Sequence, residues 1–157
     1  MEPMVNIALR AARKAGNLIA RASDDLTRLR FEAKGKADFV TEVDLASERE
    51  LIFNLQKTYP DHAFLCEESG RTGPEDAEYI WIIDPLDGTS NFMRGIPHYC
   101  ISIACTKAGK VEHAVVLDPV RQEEFTASRG RGAQLNGRRL RVSDRVDFKE
   151  CLIGTGT

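Results

Sequence analysis

The residues with the greatest chemical potential are Asp84-Pro85-Leu86-Asp87-Gly88-Thr89-Ser90, which follow the apolar run Tyr79-Ile80-Trp81-Ile82-Ile83. The run is rich in β-favouring side chains and predicts a buried strand. Proline disfavours helix in the residue before it, so Asp84-Pro85 predicts a turn where the strand stops. Asp87-Gly88-Thr89-Ser90 then supplies capping and turn residues suited to a helix start, where backbone N–H groups attract anions. Two carboxylates thus flank a nest of N–H groups. Acids beside an anion site repel the anion unless cations intervene, so the pattern makes electrostatic sense as carboxylates holding divalent metal ions that help hold a phosphate. A plain turn, with Pro and Gly in their usual places and Asp capping a helix, accounts for the same short string without chemistry.

Such a site needs elements to position it. From Pro3 to about Ala22, Met4, Ala8, Ala11, Ala15, Leu18 and Ala22 recur at three- and four-residue steps and predict an amphipathic helix. Leu29 to Phe39 is a polar connection in which Gly35 between Lys34 and Lys36 predicts a mobile loop. Phe39-Val40-Thr41-Glu42-Val43-Asp44 opens a second helix running to about Tyr59, with Thr41 and Asp44 at capping-box spacing. Ala63 to Cys66 predicts a short strand leading into the acids Glu67 and Glu68, and Arg71 to Glu78 a surface loop. Beyond the central string, Tyr99–Cys105, Val111–Leu117, Glu124–Ala127 and Arg138–Val142 predict an antiparallel meander, with turns at Ala108-Gly109, Asp118-Pro119 and Asn136-Gly137. Cys151-Leu152-Ile153 begins like a further strand. The fold class expected is α+β: two N-terminal helices packed on a largely antiparallel sheet.

At 157 residues, 42% hydrophobic and 29% charged, the chain has a globular composition and the length for one domain with a substantial core. A net charge of -2 gives no global case for nucleic acid. No apolar run is long enough to span a bilayer, and Met1-Glu2-Pro3-Met4 lacks the pattern of a signal peptide, so the expectation is a cytoplasmic protein with no membrane partner. Cys66, Cys100, Cys105 and Cys151 lack C-x-x-C spacing and are expected to be small buried hydrophobes. His98 and His113 have no second histidine at metal spacing, and His62, after a Pro-Asp turn, is expected to be exposed. Arg129, Arg131, Arg138, Arg139, Arg141 and Arg145 make a basic stretch whose only acid is Asp144, without aromatic residues for base stacking.

With its flanks, the central string resembles the signature of the inositol monophosphatase family, an apolar strand followed by D-P-[LI]-D-G-[ST]-x-N-F, and Asp84 to Phe92 matches every position. The likeness runs from the Ala11–Gly16 helix to Gly132–Gly137 and is strongest to the family's bacterial SuhB type. It implies the first half of a layered αβαβα sugar-phosphatase fold and lithium-sensitive, magnesium-dependent hydrolysis of inositol 1-phosphate, with two or three Mg²⁺ ions. Matched residue by residue, it implies Glu67, Asp84 and Asp87 as metal ligands, with Leu86 as a ligand through its carbonyl. It implies phosphate contacts from Asp87, Gly88, Thr89 and Ser90, catalytic roles for Asp44, Thr89 and Glu67 around the attacking water, and a lid containing Lys34 and Lys36. It further implies a homodimer and, for the SuhB type, an association with RNA polymerase, antitermination factors or RNA. Relatives with the same metal motif hydrolyse bisphosphate nucleotides or fructose bisphosphate. The family also carries a second half with a further aspartate ligand in a W-D motif; Trp81 is the only tryptophan here, so residues 1–157 are expected to form the N-terminal metal- and phosphate-binding domain.

Overall fold

The computed structural model describes residues 2–28 and 32–155. Leu29, Arg30 and Phe31 of the expected loop lie outside the described residues. Helix α1 spans Pro3–Arg28, one turn and more beyond the expected end, because Ala22 and Leu26 extend its buried stripe by the helical period. Gly16 is where α1 meets the sheet: a Cβ there would lie 2.8 Å from Leu117 Cδ2. Arg13 donates to both carboxylate oxygens of Glu124, at 2.6 and 2.8 Å, tying the helix to the sheet from its solvent side.

Helix α2 spans Ala33–Thr58 and corrects the loop expectation. Alanine and lysine favour helix enough to carry Gly35 within the first turn, and the Lys36 N–H already donates to Glu32 O at 2.9 Å. Lys34 and Lys36 are therefore helical residues rather than parts of a lid loop. Thr41 is interior to the helix, and its hydroxyl donates back to Ala37 O at 3.1 Å, so the expected capping box does not form.

An eight-stranded sheet lies beneath the helices, in the order β2-β1-β3-β4-β5-β6-β7-β8. The strands are β1 (Ala63–Cys66), β2 (Gly70–Thr72), β3 (Tyr79–Asp87), β4 (Cys100–Lys107), β5 (Lys110–Asp118), β6 (Glu123–Ser128), β7 (Gly132–Leu135) and β8 (Arg138–Arg139). All neighbours are antiparallel except β1 and β3, which run parallel. Ala108 and Gly109, and Asn136 and Gly137, close their hairpins with positive φ at both positions, as tight two-residue turns require. Trp81, Ile83, Ile101, Ile103 and Val115 meet Ile19, Leu51 and Leu55 in one core between sheet and helices.

Several expectations are corrected here. Strand β2 forms within the expected loop, paired with β1. His62 is half-buried, stacked between the rings of Tyr59 and Tyr79 at 4.7 Å from each. Cys100 is half-buried and Cys151 exposed, while Cys66 and Cys105 are core residues as expected. Residues 140–155 leave the sheet and remain exposed, with a single 3₁₀ turn at Phe148–Glu150, so the strand expected at Cys151 is absent among the described residues. No described helix is long and apolar enough to cross a membrane.

Candidate active site

The parallel pairing of β1 and β3 aligns Cys66 with Ile83, so the chain leaves both strands at the same sheet end. The next residues are Glu67 and Asp84, close enough for the charge of Glu67 to raise the proton affinity of Asp84. Strand β3 continues through Pro85 instead of stopping. Asp84 pairs with Ser102 and Asp87 with Cys100, three steps on one strand against two on the other. This is a bulge, which accommodates the missing proline N–H and adds one residue. Strict alternation would send residues three apart to opposite faces; the extra residue instead puts Asp84 and Asp87 on the face shared by Ser102 and Cys100. Leu86, inside the bulge, points into the core at 1% exposed.

Gly88 follows at φ 96° and ψ 33° and begins helix α3, Thr89–Met93. Its lack of a side chain is required twice: the left-handed φ favours glycine, and a Cβ would meet His98 O at 2.9 Å. Phe92 anchors α3 in the core, packed edge-on against Tyr99 at 5.1 Å. This brings Thr89 to α2, where its hydroxyl lies 3.0 Å from Leu86 O and 3.5 Å from Asp44 Oδ2. The single hydroxyl proton goes to the shorter contact, leaving Asp44 at the limit of hydrogen-bonding distance. Ser90, the next residue of α3, is exposed.

Helix α2 supplies the opposite wall. Val40, Val43, Asp44, Ser47, Glu48, Leu51 and Leu55 are its buried stripe, and the middle three hydrophobic positions are polar. Ser47 donates to Pro85 O at 2.8 Å, fixing the bulge. Glu48 accepts the backbone N–H groups of Glu68 and Ser69 at 2.9 and 3.1 Å, fixing the turn that carries Glu67. Sequence reasoning missed both residues; the detectable signal is a run of polar side chains at i, i+3 and i+4 inside an apolar helical stripe.

Burial and the charges of Glu68, Glu67 and Asp84 push the Asp44 carboxyl up to about 7. Its Oδ1 is buried and has no partner among the described residues. Burial, contact with Glu67 and the charge of Asp87 push Asp84 up to about 6. Cys100, whose thiol donates to Asp87 Oδ2 at 3.9 Å, is raised to about 11 by burial and the nearby acids, and so remains a neutral donor. Glu67 and Asp87 are exposed. Among the described residues, no three Asp, Glu, His or Cys side chains converge closely enough to hold a metal ion between them. Lys34 and Lys36 form no ion pair among the described residues. A cleft of about 380 Å³ opens beside the acids, lined by Asp87, Gly88, Asn91, His98, Cys100 and Arg121 among others.

A model of the inositol monophosphatase family matches residues 1–157. Nus factor SuhB of Pseudomonas aeruginosa is 58% identical over 99% of this chain, and the chain spans 58% of that relative's length. The crystal structure of the extragenic suppressor protein suhB from Bartonella henselae superposes with a TM-score of 0.81 at 41% identity, covering 92% of this chain and 56% of that one. The inositol monophosphatase from Anabaena gives a TM-score of 0.77 at 35% identity over 90% of this chain and 50% of its own. By sequence over its whole length and by fold over nine-tenths of it, the chain belongs to the inositol monophosphatase family.

Proposed function

We propose that this chain is the metal- and phosphate-binding part of a magnesium-dependent phosphomonoesterase acting on inositol 1-phosphate or a similar sugar phosphate. The observation that carries the reading is that Asp84 and Asp87 share one face of β3 at the sheet end where Glu67 leaves β1, near enough to the Asp44–Thr89 pair for Glu67 and Asp84 to act on Asp44 by charge. Three features fit a divalent cation: the donors are hard oxygens, they raise one another's proton affinity as uncompensated like charges do, and Asp44 Oδ1 is a buried acceptor without a donor among the described residues. Glu67, Asp84, Asp87 and the Leu86 carbonyl are the groups that would hold Mg²⁺, with Glu67 rotating inward from its exposed turn. The family's further aspartate would come from outside these 157 residues.

Bound magnesium would supply positive charge to the phosphate oxygens and acidify water. The chain's own residues do the rest. Asp87, Gly88, Thr89 and Ser90 bind and orient the phosphate ester. Thr89 and Asp44 orient the attacking water, and Asp44, with its proton affinity near neutrality, takes the water proton as the P–O bond to the leaving alkoxide breaks. Direct in-line attack needs no covalent phosphoenzyme. Phosphate release from inositol 1-phosphate, measured on these 157 residues and on a chain extended to the gene's natural stop codon, tests the reading. Turnover in the extended chain, abolished by Asp87→Asn, supports it; undiminished turnover in that variant, or none with any sugar phosphate, overturns it.

A second reading is favoured by a separate observation. Arg129 pairs with Glu112 and Arg131 with Glu2, whereas Arg138, Arg139 and Arg141 are exposed and form no ion pair among the described residues. Together with the Nus factor name of a relative, this supports a regulatory surface for transcription machinery or RNA. Replacing these three arginines by glutamate is expected to abolish pull-down of RNA polymerase and leave hydrolysis intact; unchanged pull-down sinks the reading.

A further inference from the structure

Glu48 is the most deeply buried carboxylate among the described residues, at 2% exposed. Among those residues no Lys, Arg or His pairs with it. Burying a carboxylate without a cation, a short distance from other acids, is costly and calls for a compensating use. Its two oxygens are divided between consecutive amides, Oε2 accepting from Glu68 and Oε1 from Ser69. A carboxylate is the one protein side chain that offers two equivalent acceptors and no donor. On its other side the turn is held by the Glu67 N–H, which donates to Ile83 O at 3.2 Å. The Glu67 backbone is therefore clamped between β3 and the buried face of α2. Each oxygen thus has an amide partner, and at 2% exposed Glu48 lies beneath the turn and away from solvent.

We propose that Glu48 is a positioning residue for Glu67: by gripping the Glu68 and Ser69 amides it fixes the backbone from which the Glu67 carboxylate turns toward the cleft, and so sets the affinity of the acidic cleft for a divalent cation. The inference rests on the reading of that cleft as a metal-dependent phosphatase site. Glu48→Gln keeps the shape but turns an NH₂ group toward one of the two amides. Glu48→Asp keeps both acceptors on a shorter stem.

Three measurements test it: hydrogen exchange at the Glu68 and Ser69 amides in the 157-residue chain, magnesium binding by calorimetry, and magnesium-dependent turnover in the extended chain. In Glu48→Gln at least one amide is expected to exchange about tenfold faster and the magnesium dissociation constant to rise about tenfold, a typical loss for a residue that orients a ligand. The KM for the ester at saturating magnesium stays within about twofold, and Glu48→Asp recovers part of the affinity. Faster exchange with unchanged magnesium affinity would make Glu48 a purely structural anchor and overturn the proposal. Unchanged exchange, or no magnesium binding by the wild type, overturns it too. Magnesium binding that weakens in the variant, without turnover in any chain, defeats the phosphatase reading and leaves the role of Glu48 standing. Should Glu48→Gln fail to fold, Glu48→Asp carries the same comparison.

Discussion

Burying the Asp44 carboxyl beside Glu68, Glu67 and Asp84 raises it from 3.8 to about 7, and the sign of that shift fixes how the metal-free chain responds to pH. The folded state keeps a proton that the unfolded chain has released, so this contribution is complete below about pH 4 and is lost as pH rises toward 7. Three units convert to about 4 kcal/mol at 1.36 kcal/mol each; solvent screening at the exposed Glu67 and Glu68 reduces that to about 2 kcal/mol. In chelator, Asp44→Asn is expected to remove a fall in stability of that size between pH 4 and pH 7, read by urea titration. The extended chain carrying it should lose about 100-fold or more in kcat, the usual cost of a missing general base. Equal pH dependence in wild type and variant would count against the charged Asp44 that the mechanism needs. Gly88→Ala acts through the backbone instead: a left-handed φ and a Cβ 2.9 Å from His98 O should cost about 2–4 kcal/mol in thermal or urea unfolding. A loss below about 0.5 kcal/mol would show that α3 can shift to make room.

At the scale of elements, the first half of β3 is clamped by a ring stack. Trp81 Nε1 donates to His62 Nδ1 at 3.0 Å, which requires that nitrogen to be unprotonated. Burial lowers the His62 pKa despite the opposing charges of Asp61 and Glu78. A lowered histidine contributes stability above its unfolded value near 6.5 and loses it as pH falls toward the folded value, opposite in sign to Asp44. Trp81 is the sole tryptophan, so its emission should titrate below about pH 6.5 and stop doing so in His62→Phe, which keeps the stacking but not the acceptor; identical titrations would place the effect elsewhere. The stack and the Asp84–Asp87 bulge both illustrate what sequence could and could not reveal. The hairpin turns at Ala108-Gly109 and Asn136-Gly137 were legible because positive φ selects residues locally. The apolar strand and the Asp-Pro-Leu-Asp-Gly string were legible for the same reason. Three things were not: the parallel β1–β3 pairing that sets Glu67 beside Asp84, the bulge that puts Asp84 and Asp87 on one face, and the early start of α2. The first two are decided by partners distant in sequence, and Pro85 locally argues for a turn that tertiary pairing overrides; the third is a local contest, in which Gly35 signals a break and the alanines and lysines around it carry the helix through.

At the scale of the whole molecule, among the described residues the helices cover one face of the sheet only. On the other, the registers align Leu65, Ile82, Ala104, Ala114, Ala127 and Ala133 in a single apolar row across six strands. Leu65 and Ile82 remain 45% and 40% exposed, and Val142, Val146, Phe148, Leu152 and Ile153 beyond β8 are more exposed still. Four alanines side by side leave a shallow floor onto which a helix can pack closely, whereas a solvated sheet face alternates with polar residues. The curated relatives are longer, this chain spanning 58% of the first of them, and a further layer of a longer chain would cover this face and bring the proposed aspartate ligand with it. The 157-residue chain should therefore bind the dye ANS and self-associate at micromolar concentration. The chain extended to its natural stop codon should lose most of the dye signal and unfold at a higher temperature. Replacing Ile82 by glutamate separates the alternatives: it should improve the short chain's solubility, where the side chain faces water, and destabilise the extended one by about 2 kcal/mol or more, where an unpaired charge would be buried. If the extended chain binds the dye as strongly as the short one and tolerates the glutamate, the face stays open in the complete protein, and the second layer, with the aspartate it is to deliver, must pack elsewhere.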